Sequence, residues 1–110
     1  MAQQKLQKVL ITGATGYIGS YTSRILAATQ PKTIVYALSR ASTETSRERS
    51  PKMAAFDNIE FVQGDCLDKA KLPSEDLLAN CDSVIHLVGS ITDSFNYKQI
   101  LSTLGNPKNI

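Results

Sequence analysis

In the segment Thr12-Gly13-Ala14-Thr15-Gly16-Tyr17-Ile18-Gly19, three glycines stand three residues apart, and this spacing is the strongest structural signal in the sequence. An aliphatic and β-branched run, Lys8-Val9-Leu10-Ile11-Thr12, leads into it and is typical of a strand buried on both faces. Apolar side chains then recur at helical spacing over residues 17–28, with Arg24 on the polar side and Pro31 beyond the end. The sequence therefore predicts a strand, a glycine-rich turn and an amphipathic helix. The apolar positions of that helix are Ile18, Tyr21, Thr22, Ile25 and Leu26.

Three further segments have the composition of short strands, and each ends in polar residues or glycine. They cover residues 33–38, 59–63 and 83–88. Ser74, with acidic residues behind it, predicts a helix that ends near Asn80, and apolar spacing predicts another helix over 93–104. The polar segment 40–52 predicts a solvated loop that leads into a short helix near residues 53–56. Alternating strands and helices favour a parallel sheet with right-handed crossovers.

The composition limits the class of protein. With 110 residues, 42% of them hydrophobic, the chain is long enough for one core, and we expect residues 1–110 to form one unit. A formal net charge of +2 does not favour nucleic-acid binding, and no apolar run reaches the ~20 residues of a membrane helix. The N-terminus lacks the apolar region of a signal peptide, so we expect cytoplasmic residence, with mitochondrial residence as the alternative. Cys66 and Cys81 lack the spacing of a metal site, and we expect reduced thiols.

A glycine-rich turn at the start of a helix is suited to binding a pyrophosphate. Backbone N–H groups and the positive end of the helix dipole would hold the phosphates, and a Cβ at the closest approach would block them. Gly13 would allow the tight turn, Gly16 the approach of backbone to phosphate, and Gly19 the close packing of the helix. The alternative is that the three glycines serve only the turn and the packing.

Three motifs carry a resemblance to a known superfamily. The pattern Thr-Gly-x-x-Gly-x-x-Gly resembles the fingerprint of the extended and atypical short-chain dehydrogenases/reductases, which include nucleotide-sugar epimerases and NmrA-like proteins. Gly64-Asp65-Cys66-Leu67-Asp68 resembles the family's Gly-Asp-x-x-Asp segment, whose first Asp accepts a hydrogen bond from the adenine amino group. Val84-Ile85-His86-Leu87-Val88-Gly89 resembles the family's fourth strand, whose end runs beside the adenosine ribose. The resemblance covers residues 8–90 and implies the N-terminal half of a Rossmann-like parallel sheet, with helices on both faces and strand order 3-2-1-4.

The end of the second strand bears on the choice of cofactor. An NAD-preferring member usually has an acidic residue there, whereas this chain has Ser39-Arg40. A guanidinium pairs with the 2′-phosphate that a carboxylate repels, so NADP(H) is predicted over NAD. Arg47, Arg49 and Lys52 either assist or are only solvated. The predicted cofactor-binding residues are Gly13, Thr15, Gly16, Tyr17, Ile18, Gly19, Ser39, Arg40, Asp65, Cys66, Val88 and Gly89.

The catalytic pair of the family is missing from these 110 residues. Members that reduce or epimerise generally carry Tyr-x-x-x-Lys, in which the tyrosine is the acid/base and the lysine holds the nicotinamide ribose. The tyrosines here are Tyr17, Tyr21, Tyr36 and Tyr97, and the residues four positions on are Tyr21, Ile25, Arg40 and Leu101. We therefore predict no catalytic residue and no metal ligand in this chain, and we interpret His86 as structural.

The sequence leaves two functions open. The first is the NADP(H)-binding domain of an oxidoreductase or epimerase that acts on a small molecule, present here as a truncated chain. The second is a dinucleotide-binding regulatory or accessory protein without hydride transfer, a role that the resemblance allows because the superfamily includes NmrA-like sensors and an accessory subunit of respiratory complex I. In both, the outer edge of the fourth strand would be exposed, which invites pairing with another chain.

Overall fold

The computed structural model describes residues 7–87, which form four strands and four α-helices. In chain order the elements are β1 (Gln7–Thr12), α1 (Tyr17–Thr29), β2 (Thr33–Ser39), α2 (Thr43–Arg49), α3 (Pro51–Ala54), β3 (Ile59–Gln63), α4 (Glu75–Asn80) and β4 (Ser83–His86). A 3₁₀ turn, Lys69–Lys71, stands between β3 and α4. Val88 and Gly89, predicted to contact the cofactor, and the helix predicted over 93–104 lie outside the described residues.

The four strands form one parallel sheet in the order β3-β2-β1-β4. The register places Val9 of β1 between Val35 of β2 and Ser83 of β4. This order confirms the predicted Rossmann-like fold. Because the strands are parallel, their carboxyl ends meet at one edge of the sheet, and the glycine turn begins at that edge.

Apolar side chains cover both faces of the sheet. Val9 and Ile11 point into a core cluster that also holds Ala27 of α1 and Met53 of α3. Leu10 belongs to a second cluster, which also contains residues of the loop after β3 and of α4. Strands buried on both faces explain the nearly continuous aliphatic run of β1. None of the helices within residues 7–87 combines the length and the apolar character that a membrane span requires.

The apolar face predicted for α1 is largely wrong, because the helix turns most of those side chains to the solvent. Tyr17 is 95% exposed, and Ile18, Tyr21 and Ile25 are exposed as well. The buried side of α1 consists instead of Gly19, Ser23 and Ala27. A Cβ on Gly19 would collide with the carbonyl oxygen of Gly13, so the helix lies too close to the turn for large side chains on that side.

The loop predicted over 40–52 is also wrong, because this segment is mostly helical. Ser42 caps α2 by accepting a hydrogen bond from the Thr45 N–H at 3.1 Å, and Glu44 lies in the first turn. Pro51 stands in the first turn of α3, where a missing N–H costs nothing. Only Ser46 of α2 is buried, so the helix lacks the apolar periodicity by which a sequence reveals one. The helix predicted after Ser74 is confirmed as α4, and Ser74 accepts from the Leu77 N–H.

Candidate functional site

A cleft of about 360 Å³ opens at the carboxyl edge of the sheet, between the glycine turn, the end of β2 and the loop after β3. Its walls contain seven of the predicted cofactor-binding residues, namely Gly13, Thr15, Gly16, Ser39, Arg40, Asp65 and Cys66. The sequence reasoning did not include four further residues of these walls, Leu38, Gly64, Leu67 and Leu87. Leu38 and Leu87 stand at or just beyond strand ends, and Leu67 stands in the loop that carries Asp65. Their position in the chain is the signal by which they could have been predicted.

The glycine turn has the backbone that anion binding needs. Gly13 has a φ of 67°, a conformation that favours glycine, and its carbonyl accepts the Gly16 N–H at 3.2 Å. Gly16 is the N-cap residue of α1, no side chain caps this end, and no acidic residue stands in the first turn. The N–H groups of the first helical turn therefore keep their capacity to bind an anion at the positive end of the helix.

Gly16 and Gly19 are glycines for different reasons. A Cβ on Gly16 would meet only the Gly13 carbonyl oxygen, at 3.4 Å, which is an ordinary contact. The fold therefore has room for a Cβ at Gly16. A phosphate lying against this backbone would occupy that room, so its binding requires glycine here. A Cβ on Gly19 would lie 2.7 Å from the Gly13 carbonyl carbon and 2.8 Å from the Ala14 Cα. Gly19 thus serves the packing of α1 on the turn, and the turn as a whole fits a bound pyrophosphate.

Tyr17 and Ile18 do not direct their side chains into the cleft. They line a second groove on the outside of α1, together with Tyr21 and Arg24, and this groove meets the cleft at Thr15 and Gly16. Any contact that Tyr17 and Ile18 make with a ligand in the cleft would therefore come from the backbone N–H groups at the start of α1.

The end of β2 brings a cation to the cleft. Arg40 is exposed, lines the cleft and forms no ion pair with any of residues 7–87. Its neighbour Ser39 is almost fully buried, and the Ser39 carbonyl accepts the Gly64 N–H at 2.8 Å. The Ser39 hydroxyl accepts from the Ala41 N–H at 3.2 Å, so Ser39 contributes to the wall mainly by holding the backbone on both sides of Arg40. The cleft walls do not include Arg47, Arg49 or Lys52.

The loop after β3 presents a carboxylate. Asp65 Oδ1 accepts the Leu67 N–H at 2.9 Å, which fixes the side chain in an Asx turn, and the Asp65 N–H donates to the Lys71 carbonyl at 2.8 Å. Oδ2 of Asp65 has no hydrogen-bond partner among residues 7–87 and is free to accept one from a ligand. A Cβ on Gly64 would lie 2.8 Å from the Lys71 carbonyl oxygen, so glycine is needed for this loop to close.

His86 lies at the carboxyl end of β4 beside the cleft, Cys66 lies in the cleft wall, and Cys81 lies before the start of β4, at the opposite edge of the sheet. His86 Nδ1 lies 2.7 Å from Thr12 Oγ1, a contact between the ends of β4 and β1, and burial lowers the pKa of this imidazole. Both cysteines are free and buried, and burial raises the pKa of the Cys81 thiol to about 11. No group of His, Cys, Asp and Glu side chains within residues 7–87 is arranged to hold a metal ion.

Comparison with known proteins decides the family. The sequence profile described as the NAD dependent epimerase/dehydratase family matches residues 9–104. The chain belongs to this family. The cleft lies at the carboxyl ends of the strands next to the glycine turn, which is the edge where open parallel sheets generally bind ligands.

Two kinds of relative accompany this match. Phenylcoumaran benzylic ether reductase 1 from Arabidopsis thaliana is 35% identical over 105 residues, which are 94% of this chain and 32% of the relative. Leucoanthocyanidin reductase from Vitis vinifera, in a binary complex with NADPH, has the same fold with a TM-score of 0.65 at 20% identity, over 89% of this chain and 33% of that one. The dTDP-glucose 4,6-dehydratase of Bacillus anthracis, in complex with NAD, gives 0.65 at 12% identity, over 87% and 34%. The chain thus spans about a third of the length of these relatives.

Proposed function

We propose that this chain is the NADP(H)-binding part of a reductase in the NAD dependent epimerase/dehydratase family. One observation carries the choice of NADP(H): an exposed Arg40, without an ion-pair partner in residues 7–87, lines the cleft at the end of β2. The next acidic residue along the chain is Glu44, in the first turn of α2, and it does not line the cleft. The 35% identical relative, which is a reductase, supports the choice of a reductase.

The expected size of the preference follows from the chemistry of the pair. A guanidinium donates charge-assisted hydrogen bonds to a phosphate, and such bonds contribute roughly 1.5–3 kcal/mol. That free energy corresponds to about tenfold to a hundredfold tighter binding of NADPH than of NADH. Because Arg40 is exposed, added salt should screen part of the preference.

Calorimetric titration of the 110-residue chain with NADPH and NADH tests the proposal. The wild type should bind NADPH more tightly, and Arg40→Asp should reverse the order because a carboxylate repels the 2′-phosphate. Lys32→Asp is the matched control: it makes the same change of charge at an exposed position before β2, away from the cleft, and should keep the wild-type order. Equal affinities of the wild type for NADPH and NADH, or no binding of either, would refute the proposal.

A second candidate is a dinucleotide-binding protein without hydride transfer. None of the four tyrosines in these 110 residues is followed four positions later by lysine, and since the chain spans about a third of its relatives' length, this leaves both candidates open. The two candidates differ in what a longer chain would contain: a Tyr-x-x-x-Lys pair after Ile110 supports the reductase, and a longer chain without one supports the binding protein.

A further inference from the structure

A buried pair of hydroxyl groups joins α2 to the end of β2. Ser46 is 2% exposed, and its hydroxyl donates to Ser39 Oγ at 3.0 Å. The same Ser39 oxygen accepts the Ala41 N–H at 3.2 Å. Ser46 is also the one buried residue of α2, so this hydrogen bond holds the buried side of the helix against the end of β2.

The position of Arg40 depends on this pair. Arg40 lies between Ser39 and Ala41, whose groups are linked through the same Ser39 oxygen. On the other side, the Ser39 carbonyl accepts the Gly64 N–H at 2.8 Å, which ties β2 to the loop that carries Asp65. The Ser39 side chain therefore fixes the backbone from which the Arg40 guanidinium extends, and Ser46 holds the Ser39 side chain in place.

We infer that Ser46 is a positioning residue for cofactor choice: its hydrogen bond to Ser39 orients the Arg40 segment toward a 2′-phosphate in the cleft. The inference rests on the proposed function, since it assigns to Ser46 a part in the same selectivity. Ser46 is not among the residues that line the cleft and acts only through Ser39. NADH lacks the 2′-phosphate, so a displaced Arg40 should weaken NADPH binding and leave NADH binding nearly unchanged.

Ser46→Ala tests the inference through the ratio of the two affinities. A displaced Arg40 should lose part of the tenfold to hundredfold that its pair with the 2′-phosphate contributes, so the NADPH affinity should fall by roughly three- to tenfold, with the NADH affinity within about twofold of the wild type. Ser42→Ala is the control: it removes the cap of α2 without touching Ser39, and should lower thermal stability but keep the affinity ratio. In an Arg40→Leu background, Ser46→Ala should cause no further change in NADPH affinity.

The outcomes separate this inference from the proposed function. Three results would overturn the role of Ser46 while the NADPH preference of the wild type stands. The ratio of NADPH to NADH affinity could stay unchanged in Ser46→Ala, or it could fall equally in Ser42→Ala. Ser46→Ala could also still lower the NADPH affinity in the Arg40→Leu background. A wild type without that preference overturns the proposed function and the inference with it. Circular dichroism checks folding, and Ser46→Cys, which fills the site with a slightly larger side chain and a weaker donor, replaces the alanine variant if that variant is unfolded.

Discussion

At the scale of single residues, the glycines at 16 and 19 separate the needs of the ligand from those of the fold. Gly16 has an extended backbone and room for a Cβ, whereas Gly19 has no room beside the Gly13 carbonyl. A sequence shows the two glycines as equal members of one pattern. Their different surroundings allow the two needs to be tested separately.

Gly16→Val should remove dinucleotide binding without unfolding the chain. The branched side chain would stand where a phosphate must approach the backbone, while its Cβ would make only an ordinary contact with the Gly13 carbonyl oxygen. Because valine is a poorer N-cap residue than glycine, we expect the free energy of unfolding to fall by roughly 0.5–1 kcal/mol, which leaves the chain folded. Calorimetry with NADPH and denaturant unfolding measure the two quantities.

Gly19→Ala is the matched contrast for this prediction. Its Cβ would overlap the turn, so we expect a loss of stability of about 1–3 kcal/mol, as for overpacked positions. Wild-type affinity in a folded Gly16→Val variant would show that the pyrophosphate does not lie against this turn.

Asp65→Asn should reduce the preference of the cleft for adenine. The amide can keep the hydrogen bond from the Leu67 N–H at Oδ1, but it places a donor where Asp65 Oδ2 would accept from the adenine amino group. The wild type should bind NADPH more tightly than an analogue with hypoxanthine in place of adenine, by roughly tenfold for a bond to a charged acceptor. Titration of Asp65→Asn should show a much smaller difference between the two.

Asp65→Ala completes the comparison. It should lose the adenine preference too, with some loss of stability because the Asx turn goes with the carboxylate. If Asp65→Asn kept the wild-type ratio between the adenine and hypoxanthine cofactors, Asp65 would not read the base.

At the scale of elements, helix position depends on close contacts rather than on the distribution of apolar residues. α1 lies against the sheet through Gly19, Ser23 and Ala27, and the Ser23 hydroxyl donates to the Gly19 carbonyl at 2.7 Å. Small residues let the helix axis approach the sheet, so the larger apolar side chains of the same helix must point elsewhere. In α2 a cap and one buried serine replace an apolar face altogether.

The contact between β1 and β4 should make stability depend on pH. His86 Nδ1 lies 2.7 Å from Thr12 Oγ1, and burial lowers the pKa of the ring below its ordinary value of 6.5. The unfolded chain therefore takes up the proton first as the pH falls. Stability should be complete above about pH 6.5 and decrease as the pH falls toward the pKa of the folded state.

Denaturant unfolding between pH 7.5 and pH 5.5 measures this dependence. His86 is the single histidine of the chain, so His86→Gln should flatten the curve over this interval. An equally steep curve in His86→Gln would assign the pH dependence to other groups.

At the scale of the whole molecule, the candidate site exists only where distant segments meet. The turn at Gly13, the end of β2 at Arg40 and the loop at Asp65 are each more than 20 residues apart in sequence and line one cleft. Parallel pairing brings them together, because every strand delivers its carboxyl end to the same edge. The chain matches its relatives over about a third of their length, and that third contains this edge.

The strand order 3-2-1-4 and the cleft residues beyond the glycine turn were predictable from the resemblance to the short-chain dehydrogenases/reductases. The strands, their parallel pairing and the turn at Gly13 were predictable from the residues alone, because local composition and the alternation of strands with helices can be read along one chain. The helix capped by Ser74 was predictable for the same reason.

Tertiary contacts were needed to establish which face of α1 is buried, that α2 is a helix, and which of the predicted residues line the cleft. Tyr17 and Ile18 follow the glycine turn in sequence, yet their side chains leave the cleft because Gly19 fixes the rotation of α1. Ser46 donates a hydrogen bond to Ser39, which lies seven residues earlier on another element, and no local pattern in the sequence indicates this contact. The periodicity of a sequence shows that a helix has two faces. Which face is buried depends on how closely the helix can approach the sheet, and residues elsewhere in the chain set that distance.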